Sequence, residues 1–267
     1  MGIVNLTPDS FSDGGRFDSP EAAVTAALAL EAAGASVLDL GAESSRPGSE
    51  PISIDEELAR LMPVLAKLRP QTDLPISVDT TKARVAGAAL EAGADWINDI
   101  SALRADPDMA RTIADSGAAL VLMHMLGEPK TMQHAPDYAD CLAQVQSMLL
   151  ARVDAAIAAG ISRDRLLIDP GIGFGKRLED NCALIRGLPT LVASGLPVLL
   201  GASRKSFLGE LLGSDGRPPR PAPERDVATV AIVCEGWRAG VAVHRAHNVR
   251  YAIDALRTLA GLSRKDE

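Results

Sequence analysis

The fold of this chain is decided by residues 166–176, which have the sequence LLIDPGIGFGK. The pattern predicts a short apolar strand that ends at Asp169, a loop that contains three glycines and Lys176, and a helix from about Leu178. The carboxylate therefore lies beside backbone that is thin enough for a flat ligand to contact. In isolation, a strand–helix turn with a capping aspartate would explain the same residues.

Two phosphate-binding glycine motifs do not fit this loop. A Walker A loop needs glycine where the chain has Pro170, and serine or threonine where it has Arg177. A dinucleotide-binding fingerprint needs glycine at the position of Lys176. A functional interpretation of the loop therefore depends on whether the other strands also end in functional side chains.

The alternation of strand and helix recurs along the chain. Short apolar strands are predicted at 2–5, 36–41, 76–79, 96–98, 120–123, 166–169, 198–201 and 241–245. Alanine-rich segments with helical periodicity lie at about 20–33, 54–69, 82–93, 107–117, 138–160, 178–194, 224–239 and 249–261. These eight units predict an α/β protein, a single (β/α)8 TIM barrel over residues 1–267, with a doubly wound sheet as the alternative. The first, second and fifth βα loops, at 6–18, 43–51 and 124–135, are predicted to be long.

Composition argues against several classes of protein. The chain of 267 residues has a net charge of −8 and 3% aromatic residues, so it lacks the basic surface and stacking rings of nucleic-acid-binding proteins. No apolar run approaches the roughly 20 residues that span a bilayer, and the pattern of a signal peptide is absent. Three widely separated cysteines without metal-binding spacing are typical of reduced thiols. We therefore expect a cytoplasmic protein with neither nucleic-acid nor membrane partners.

Residues at the predicted strand ends point to one site. In a (β/α)8 barrel, the active site is built at the carboxyl ends of the strands. Each predicted strand leads into polar or sulfur-containing residues: Asn5, Glu43 to Arg46, Asp79, Asn98, Met123 and His124, Asp169, Ser203 to Lys205, and Arg245 with His247. Chance helix caps would supply more lone serine and glycine. We therefore expect these side chains to line one rim of the barrel.

Seven blocks of sequence are similar to a known family. They are GIVNLTPDSFSDGG at 2–15, ESSRPG at 43–48, SVDT at 77–80, NDI at 98–100, DPGIGFGK at 169–176, SRKS at 203–206 and RAH at 245–247. In this order, and over essentially the whole chain, they resemble dihydropteroate synthase of the bacterial folate pathway. The resemblance implies a transferase that condenses 6-hydroxymethyl-7,8-dihydropterin diphosphate with 4-aminobenzoate, forming 7,8-dihydropteroate and pyrophosphate with Mg²⁺ present. It also implies that sulfonamides compete for the aminobenzoate pocket and that the protein is a homodimer.

The resemblance assigns roles to residues at matching positions. The pterin pocket is expected at Asp79, Asn98, Asp169 and Lys205. The Mg²⁺ ligand is expected at Asn5, and the diphosphate anchor at Arg245 and His247. Expected around the aminobenzoate and the diphosphate are Ser45, Arg46, Pro47, Phe174 and Ser206, and further substrate contacts are expected at Met123, Gly173, Asp9 and Phe11. The expected catalytic residues are Asp79, Asp169, Lys205, Arg245 and His247.

The chemistry of a pterin suits these residue types. A pterin presents a ring N–H beside an exocyclic amine, which Asp169 can accept together, and its ring carbonyl suits the cation of Lys205. Arg245, His247 and Mg²⁺ would neutralise the charge that grows on a departing diphosphate. We therefore expect a dissociative reaction in which pyrophosphate leaves before the amine attacks, with Asp79 supporting the positive charge on the ring.

The first βα loop is polar, contains glycine and carries Asp9 and Phe11. This composition suits a lid that orders over a bound ligand and excludes water. We therefore expect Asp9 and Phe11 to affect the rate of the reaction more than pterin binding.

Two other functions fit part of the pattern. A pterin-binding barrel of the methyltransferase type would use Asp79, Asn98 and Asp169, but it has no use for the RAH and SRKS blocks. A catalytically silent homologue that binds a pterin would not need Asn5 or the first loop.

Overall fold

The structure, a computed structural model, describes residues 1–7, 19–213 and 216–263. The strands in these ranges are β1 (Gly2–Asn5), β2 (Leu38–Gly41), β3 (Ile76–Asp79), β4 (Trp96–Asp99), β5 (Ala119–Met123), β6 (Leu166–Asp169), β7 (Leu199–Leu200) and β8 (Val243–His244). The α-helices are α1 (Pro20–Ala32), α2 (Ile54–Leu68), α3 (Ala83–Glu91), α4 (Met109–Ser116), α5 (Cys141–Ala158), α6 (Leu178–Arg186), α7 (Leu188–Val192), α8 (Ser206–Leu212), α9 (Asp226–Ala239) and α10 (Val249–Ser263). The predicted alternation of strand and helix is confirmed.

The strands close into a barrel. β1 to β6 pair in parallel in chain order, and β7 pairs in parallel with β8. A parallel bridge between Ile168 and Val198 joins β6 to the start of β7, and another between Gly2 and Ala246 joins β1 to the end of β8. At this second junction, the amide of Ala246 donates to the carbonyl of Met1 over 3.0 Å. The predicted (β/α)8 barrel is therefore confirmed, and the doubly wound alternative is wrong.

The side chains of β6 show how the barrel is filled. Leu166 and Ile168 pack in the large core between the strands and the helices. Leu167 faces the opposite side, where it packs with Val121 inside the barrel. Because successive side chains of a strand point to opposite sides, Asp169 shares the side of Leu167 and lies nearer the carboxyl end. The interior is therefore apolar at its base and polar at its upper rim.

Three of the loops that follow strands are long, as predicted. Loop 1 (residues 6–19), loop 2 (residues 42–53) and loop 5 (residues 124–140) are each longer than the connection at 80–82 between β3 and α3. The hydroxyl of Ser53 ends loop 2 by accepting a hydrogen bond from the amide of Glu56, a helix cap. Residues 8–18 of loop 1, and with them Asp9 and Phe11, lie outside the described residues.

The helices differ from those predicted in two places. The single helix predicted at 178–194 is two helices, α6 and α7, which meet at Gly187. A side chain at Gly187 would come within 2.6 Å of Leu142, and Pro189 has no amide hydrogen to continue α6. Residues 206–212, for which no helix was predicted, form α8, where Phe207 and Leu208 are buried in the core.

Helix α5 has the length and composition of a membrane span, alone among the helices that the structure describes. One of its faces packs in the core through Cys141, Val145, Leu149, Val153 and Ala156. The helix also contacts β5 and α6, as expected for the outer layer of a barrel. The structure therefore accounts for the apolar character of α5 by packing within the protein.

Candidate active site

The carboxyl ends of the strands surround a cavity of about 500 Å³. Fourteen of the predicted site residues line it: Asn5, Ser45, Arg46, Pro47, Asp79, Asn98, Met123, Asp169, Gly173, Phe174, Lys205, Ser206, Arg245 and His247. These residues come from strands and loops that are spread over most of the sequence. The structure therefore brings together every predicted catalytic, substrate-binding and metal-binding residue within its described ranges, whereas His124, which was also expected at the rim, does not line the cavity.

Asp169 and Lys205 form the charged floor of the cavity. Asp169 ends β6, and its carboxylate accepts a hydrogen bond of 2.7 Å from the amide of Gly171. The ammonium of Lys205 donates to the carbonyl of Ile172 and lies 4.3 Å from the centre of the Phe174 ring. Burial raises the pKa of Asp169, which Lys205 opposes, and burial lowers the pKa of Lys205 to about 8, which Asp169 opposes. A hydrogen-bond acceptor and a cation thus face the same cavity.

Glycine is required where the loop after β6 (loop 6, residues 170–177) passes loop 5. Gly171 has a φ of +65°, and a Cβ atom there would lie 1.8 Å from the carbonyl oxygen of His124. Gly173 has a φ of +81°, and its amide donates to the side chain of Asn181 over 2.6 Å. The backbone of loop 6 is therefore held by neighbours on both sides and leaves room for a flat ligand.

Lys176 anchors loop 6 from beneath, a role that the sequence analysis did not assign. Its side chain is buried, and its ammonium lies 3.0 Å from Nδ1 of His124 and 3.0 Å from the carbonyl oxygen of Phe174. Burial lowers the pKa of Lys176 to about 7, and burial together with this lysine lowers the pKa of His124 to about 3. His124 is therefore neutral, so its Nδ1 can accept a hydrogen bond from Lys176. The contact ties loop 5 to loop 6.

Arg245 lies between two carboxylates inside the barrel. Its Nε donates to Asp39 over 2.6 Å, and its Nη2 donates to Asp79 over 3.2 Å. Burial raises the pKa of Asp79 to about 7, Arg245 opposes this effect, and Asp39 adds to it. Asp39 is fully buried and is a site residue that the sequence analysis missed. Its only sequence signal is an acid within the apolar strand β2.

Asn98 supplies an acceptor without a partner. Its side chain is buried at the end of β4, and its Oδ1 has no hydrogen-bond partner among the described residues. The neighbouring Asp99 does not line the cavity, because its carboxylate accepts from the amides of Ser101 and Leu103, at 2.8 and 2.7 Å. Because a buried polar atom normally forms a hydrogen bond, Oδ1 of Asn98 is positioned to accept one from a donor on a ligand.

The burial of His247 favours the neutral form of its imidazole. Its ring Nδ1 lies 2.9 Å from the hydroxyl of Ser203, which also accepts from the amide of His247 over 3.1 Å. Burial, with a further contribution from Arg245, lowers the pKa of His247 to about 3. The imidazole would therefore bind an anion by a hydrogen bond, and the compensating charge would come from arginine.

Further arginines line the mouth of the cavity. Arg204 and Arg225 border it beside Arg46. Arg204 adopts a φ of 58° and is held by Asp226, with contacts of 2.7 and 3.0 Å to its two carboxylate oxygens. Arg225 donates to the carbonyl of Arg204 over 2.8 Å. The mouth is thus suited to an anionic substrate.

The oxygen donors near Asn5 fit the Mg²⁺ ion that the sequence implies. A Cβ atom at Gly41 would lie 3.9 Å from Oδ1 of Asn5 and 4.0 Å from Oδ2 of Asp79, the oxygen that accepts from Arg245, so Asn5 is the side chain with an oxygen to offer an ion there. Mg²⁺ is commonly held by one or two protein oxygens together with substrate phosphates and water. In the part of the chain that the structure describes, no group of three histidine, cysteine, aspartate or glutamate residues could hold a metal. The donor set therefore fits an ion whose other ligands are phosphate and water.

Known proteins with similar sequences and structures point to the same chemistry. Residues 1–247 match the family described as pterin binding enzyme. Dihydropteroate synthase of Mycobacterium leprae is 47% identical over 261 residues, covering 97% of this chain and 91% of that protein. The structure of Xanthomonas albilineans dihydropteroate synthase with 4-aminobenzoic acid has a TM-score of 0.91 at 45% identity, covering 100% of this chain and 93% of that chain. The corresponding values for Yersinia pestis dihydropteroate synthase in a sulfonamide drug complex are 0.92 and 39%, with coverage of 98% and 93%.

Proposed function

Because this chain belongs to the dihydropteroate synthase family of pterin-binding enzymes, we infer that the rim of its barrel joins a dihydropterin diphosphate to 4-aminobenzoate. The products are 7,8-dihydropteroate and pyrophosphate, so the protein is a transferase. The similarity to dihydropteroate synthases also argues against the methyltransferase-type alternative. A measurement of turnover distinguishes an active enzyme from a catalytically silent homologue.

The observation that carries this function is the pairing of acceptors and a cation in one cavity. The carboxylate of Asp169 and the unpartnered oxygen of Asn98 are acceptors for the N–H groups of a pterin. The ammonium of Lys205 faces the same space and suits the ring carbonyl. A site built to bind specific donors and acceptors rejects ligands that lack them, because its own buried groups would remain unpaired.

We propose a dissociative reaction for the chemical step. Asp79 lies beside the pterin positions and would stabilise a pterin cation by its negative charge. Arg245 and the arginines at the cavity mouth would bind the diphosphate and oppose the charge that grows on its leaving oxygen. Mg²⁺, held by Asn5 and the diphosphate oxygens, would supply further positive charge at that oxygen. The aniline nitrogen of the aminobenzoate is neutral at pH 7 and can attack without a general base.

We propose that the aminobenzoate binds between loop 2 and the start of α8. Ser45, Arg46 and Pro47 of loop 2 border the cavity together with Phe174 and Ser206. The ring of Phe174 offers an apolar surface to the benzene ring, while the hydroxyl groups and Arg46 suit the carboxylate. Since a similar enzyme has been solved with a sulfonamide drug, we propose that sulfonamides compete for this part of the site.

We also propose a cytoplasmic homodimer. The described cysteines, Cys141, Cys182 and Cys234, are free thiols, which suits a reducing compartment. Val227 at the start of α9 and Leu262 near the end of α10 are 77% and 78% exposed. These two helices pack against each other on the outside of the barrel, and each exposes one of these apolar side chains to a second copy.

The test is to incubate the protein with the dihydropterin diphosphate, Mg²⁺ and 4-aminobenzoate. Pyrophosphate release and dihydropteroate formation should occur together, and both should need the amine. An Asp169→Asn variant should reduce both, because asparagine cannot accept two N–H groups through one charged carboxylate. Pyrophosphate release that ignores the amine would indicate a hydrolase, and absence of both products would indicate a silent homologue.

A further inference from the structure

Lys82 and two glutamates form a charged cluster behind the active site. The ammonium of Lys82, which follows β3, donates to the carboxylate of Glu43 and, over 2.5 Å, to the carboxylate of Glu57. Glu57 lies on α2 and is fully buried. Lys82 and Glu57 are not among the residues that line the catalytic cavity in the described part of the chain. Glu43 does line the cavity, so the cluster reaches the site through this one side chain.

Glu43 connects this cluster to both ends of loop 2. It lies two positions after the end of β2, and its Oε1 accepts a hydrogen bond of 3.2 Å from the amide of Ile52, two residues before α2. Its other carboxylate oxygen accepts from Lys82. One side chain thus fixes where loop 2 leaves the barrel and where it returns to the helical layer. The residues between these points include Ser45, Arg46 and Pro47, which line the cavity.

The charges of the cluster favour a stable tether of loop 2, by which we mean the contacts of Lys82 with Glu43 and Glu57. Burial by itself would lower the pKa of Lys82, but the hydrogen bonds to Glu43 and Glu57 raise it above its usual value. The lysine therefore stays charged across the neutral pH range. Without Lys82, Glu57 would be a buried charge with no cation beside it, and such an unpaired charge lowers the stability of the fold. The tether persists because the buried glutamate needs the lysine.

We propose that Lys82, through Glu43 and Glu57, is a positioning residue that holds loop 2 in the arrangement that binds the aminobenzoate. This inference rests on the proposed function. The two substrates should depend on different parts of the site, because loop 6 and the strand ends bind the pterin whether or not loop 2 is held. Loss of Lys82 should therefore weaken the use of aminobenzoate and leave pterin binding intact.

The test is the Lys82→Met variant, measured for KM with each substrate and for pterin affinity by calorimetry. The KM for 4-aminobenzoate should rise about tenfold, equivalent to about 1.4 kcal/mol. The dissociation constant of the dihydropterin diphosphate should change less than about twofold, since about 0.4 kcal/mol corresponds to that factor. Lys82→Arg keeps the charge and should restore most of the aminobenzoate affinity.

A double variant separates positioning from folding. Lys82→Met with Glu57→Leu removes both buried charges, so its melting temperature should return toward that of the wild type. Its KM for aminobenzoate should stay high, because Glu43 is still without its lysine. Lys130→Met is the matched control on the other side of loop 2, where Lys130 pairs with Glu50 over 2.8 Å at the surface. Exposed pairs contribute little, so this control should alter the aminobenzoate KM less than about twofold.

The outcomes are distinct from those that test the proposed function. Wild-type protein that forms no dihydropteroate contradicts the proposed function, whatever the variants do. With active wild type, an unchanged aminobenzoate KM in the folded double variant overturns the role of Lys82. Equal losses for both substrates also overturn it, because they indicate general damage to the fold. If Lys82→Met alone does not fold, the double variant and Glu43→Gln, which weakens the same tether, provide the result.

Discussion

Asp79 and Asp39 share a single guanidinium, that of Arg245, inside the barrel. Two acidic side chains therefore share one basic side chain beneath the expected pterin position. Burial and the charge of Asp39 raise the pKa of Asp79, while Arg245 opposes the rise. Burial of the two carboxylates costs free energy, and a ligand that brings positive charge to them offsets this cost. Asp39 thus acts on the site indirectly, because it pairs with Arg245 and raises the pKa of Asp79.

Replacing Asp79 with asparagine should alter both activity and the pH dependence of stability. The pKa of Asp79 is about 7 in the folded protein and 3.8 for an aspartate in an unfolded chain, so between these values the folded state binds more protons than the unfolded state. The free energy of unfolding of the wild type should therefore fall as the pH rises from about 4 to about 7. Asp79→Asn should lack this fall, and its turnover should be lower by about 100-fold. Thermal unfolding of both proteins across this pH range checks the linkage, and parallel curves would contradict it.

Gly171→Ala should damage the pterin site more than the fold elsewhere. A methyl group at Gly171 would collide with the carbonyl oxygen of His124, 1.8 Å away, in addition to the strain of a φ of +65°. Gly117→Ala is the matched control, because Gly117 has a φ of +68° and no neighbour within 4 Å of the added atom. The control should lose about 1 kcal/mol of stability and keep its pterin affinity. Gly171→Ala should weaken pterin binding at least about tenfold by calorimetry. Equal effects of the two substitutions would show that strain alone matters.

At the scale of the elements, loops 5 and 6 behave as one unit because Lys176 joins them. Its ammonium contacts Nδ1 of His124 in loop 5 and the carbonyl of Phe174 in loop 6. Tyr138 adds a second link, since its hydroxyl donates to the carbonyl of Gly175 over 2.8 Å. The loop that follows Asp169 therefore has its shape set by residues from a different βα unit.

Lys176→Met should remove a pH-dependent part of the stability and loosen loop 6. The pKa of Lys176 is about 7 in the folded protein and 10.5 for a lysine in an unfolded chain. Between these values the unfolded state binds more protons, so wild-type stability should rise with pH from about 7 to about 10. The variant should lack this rise and bind the pterin substrate about tenfold more weakly. Lys67→Met, which breaks an exposed pair with Glu21, should change neither property in thermal unfolding and calorimetry.

At the scale of the whole molecule, the proposed dimer surface on α9 and α10 begins beside the active-site rim. Val227 follows Arg225, which lines the cavity mouth, and Asp226, which pairs with Arg204, whereas Leu262 lies near the end of α10. Trp237, on the same helix as Val227, adds a large side chain to α9.

Val227→Glu should weaken the proposed homodimer and leave the monomer folded. A charge at the centre of an apolar contact is costly, while Val227 is 77% exposed in the single chain and contributes little to its core. Light scattering after gel filtration should show the mass falling from two chains to one as the protein is diluted. Ile157→Glu on α5, where Ile157 is 40% exposed, is the control and should not change the mass. A wild-type protein that is monomeric at high concentration would contradict the proposal.

Asp79 and Asp169 could be predicted as site residues because each ends a short apolar strand, and a closed barrel brings strand ends to one rim. Asp39 could not, because it lies within β2, where an acid in an apolar run can equally be a lone structural residue. Lys176 could not, because its partner His124 is distant in sequence and only the contact between loops 5 and 6 buries the two together. The neutral form of His247 could not be predicted either, because it depends on burial that only the fold creates.

The sequence by itself determined the eight-fold alternation of strand and helix, the chemistry at the strand ends and the need for glycine in loop 6. These features depend on residue type and spacing along the chain, which local propensity and periodicity encode. Only the tertiary structure decided which charges are paired and which protonation states are stable. Asp39 with Arg245, and Lys82 with Glu57, are neighbours only after the barrel closes, and burial then sets the free energy of each charge.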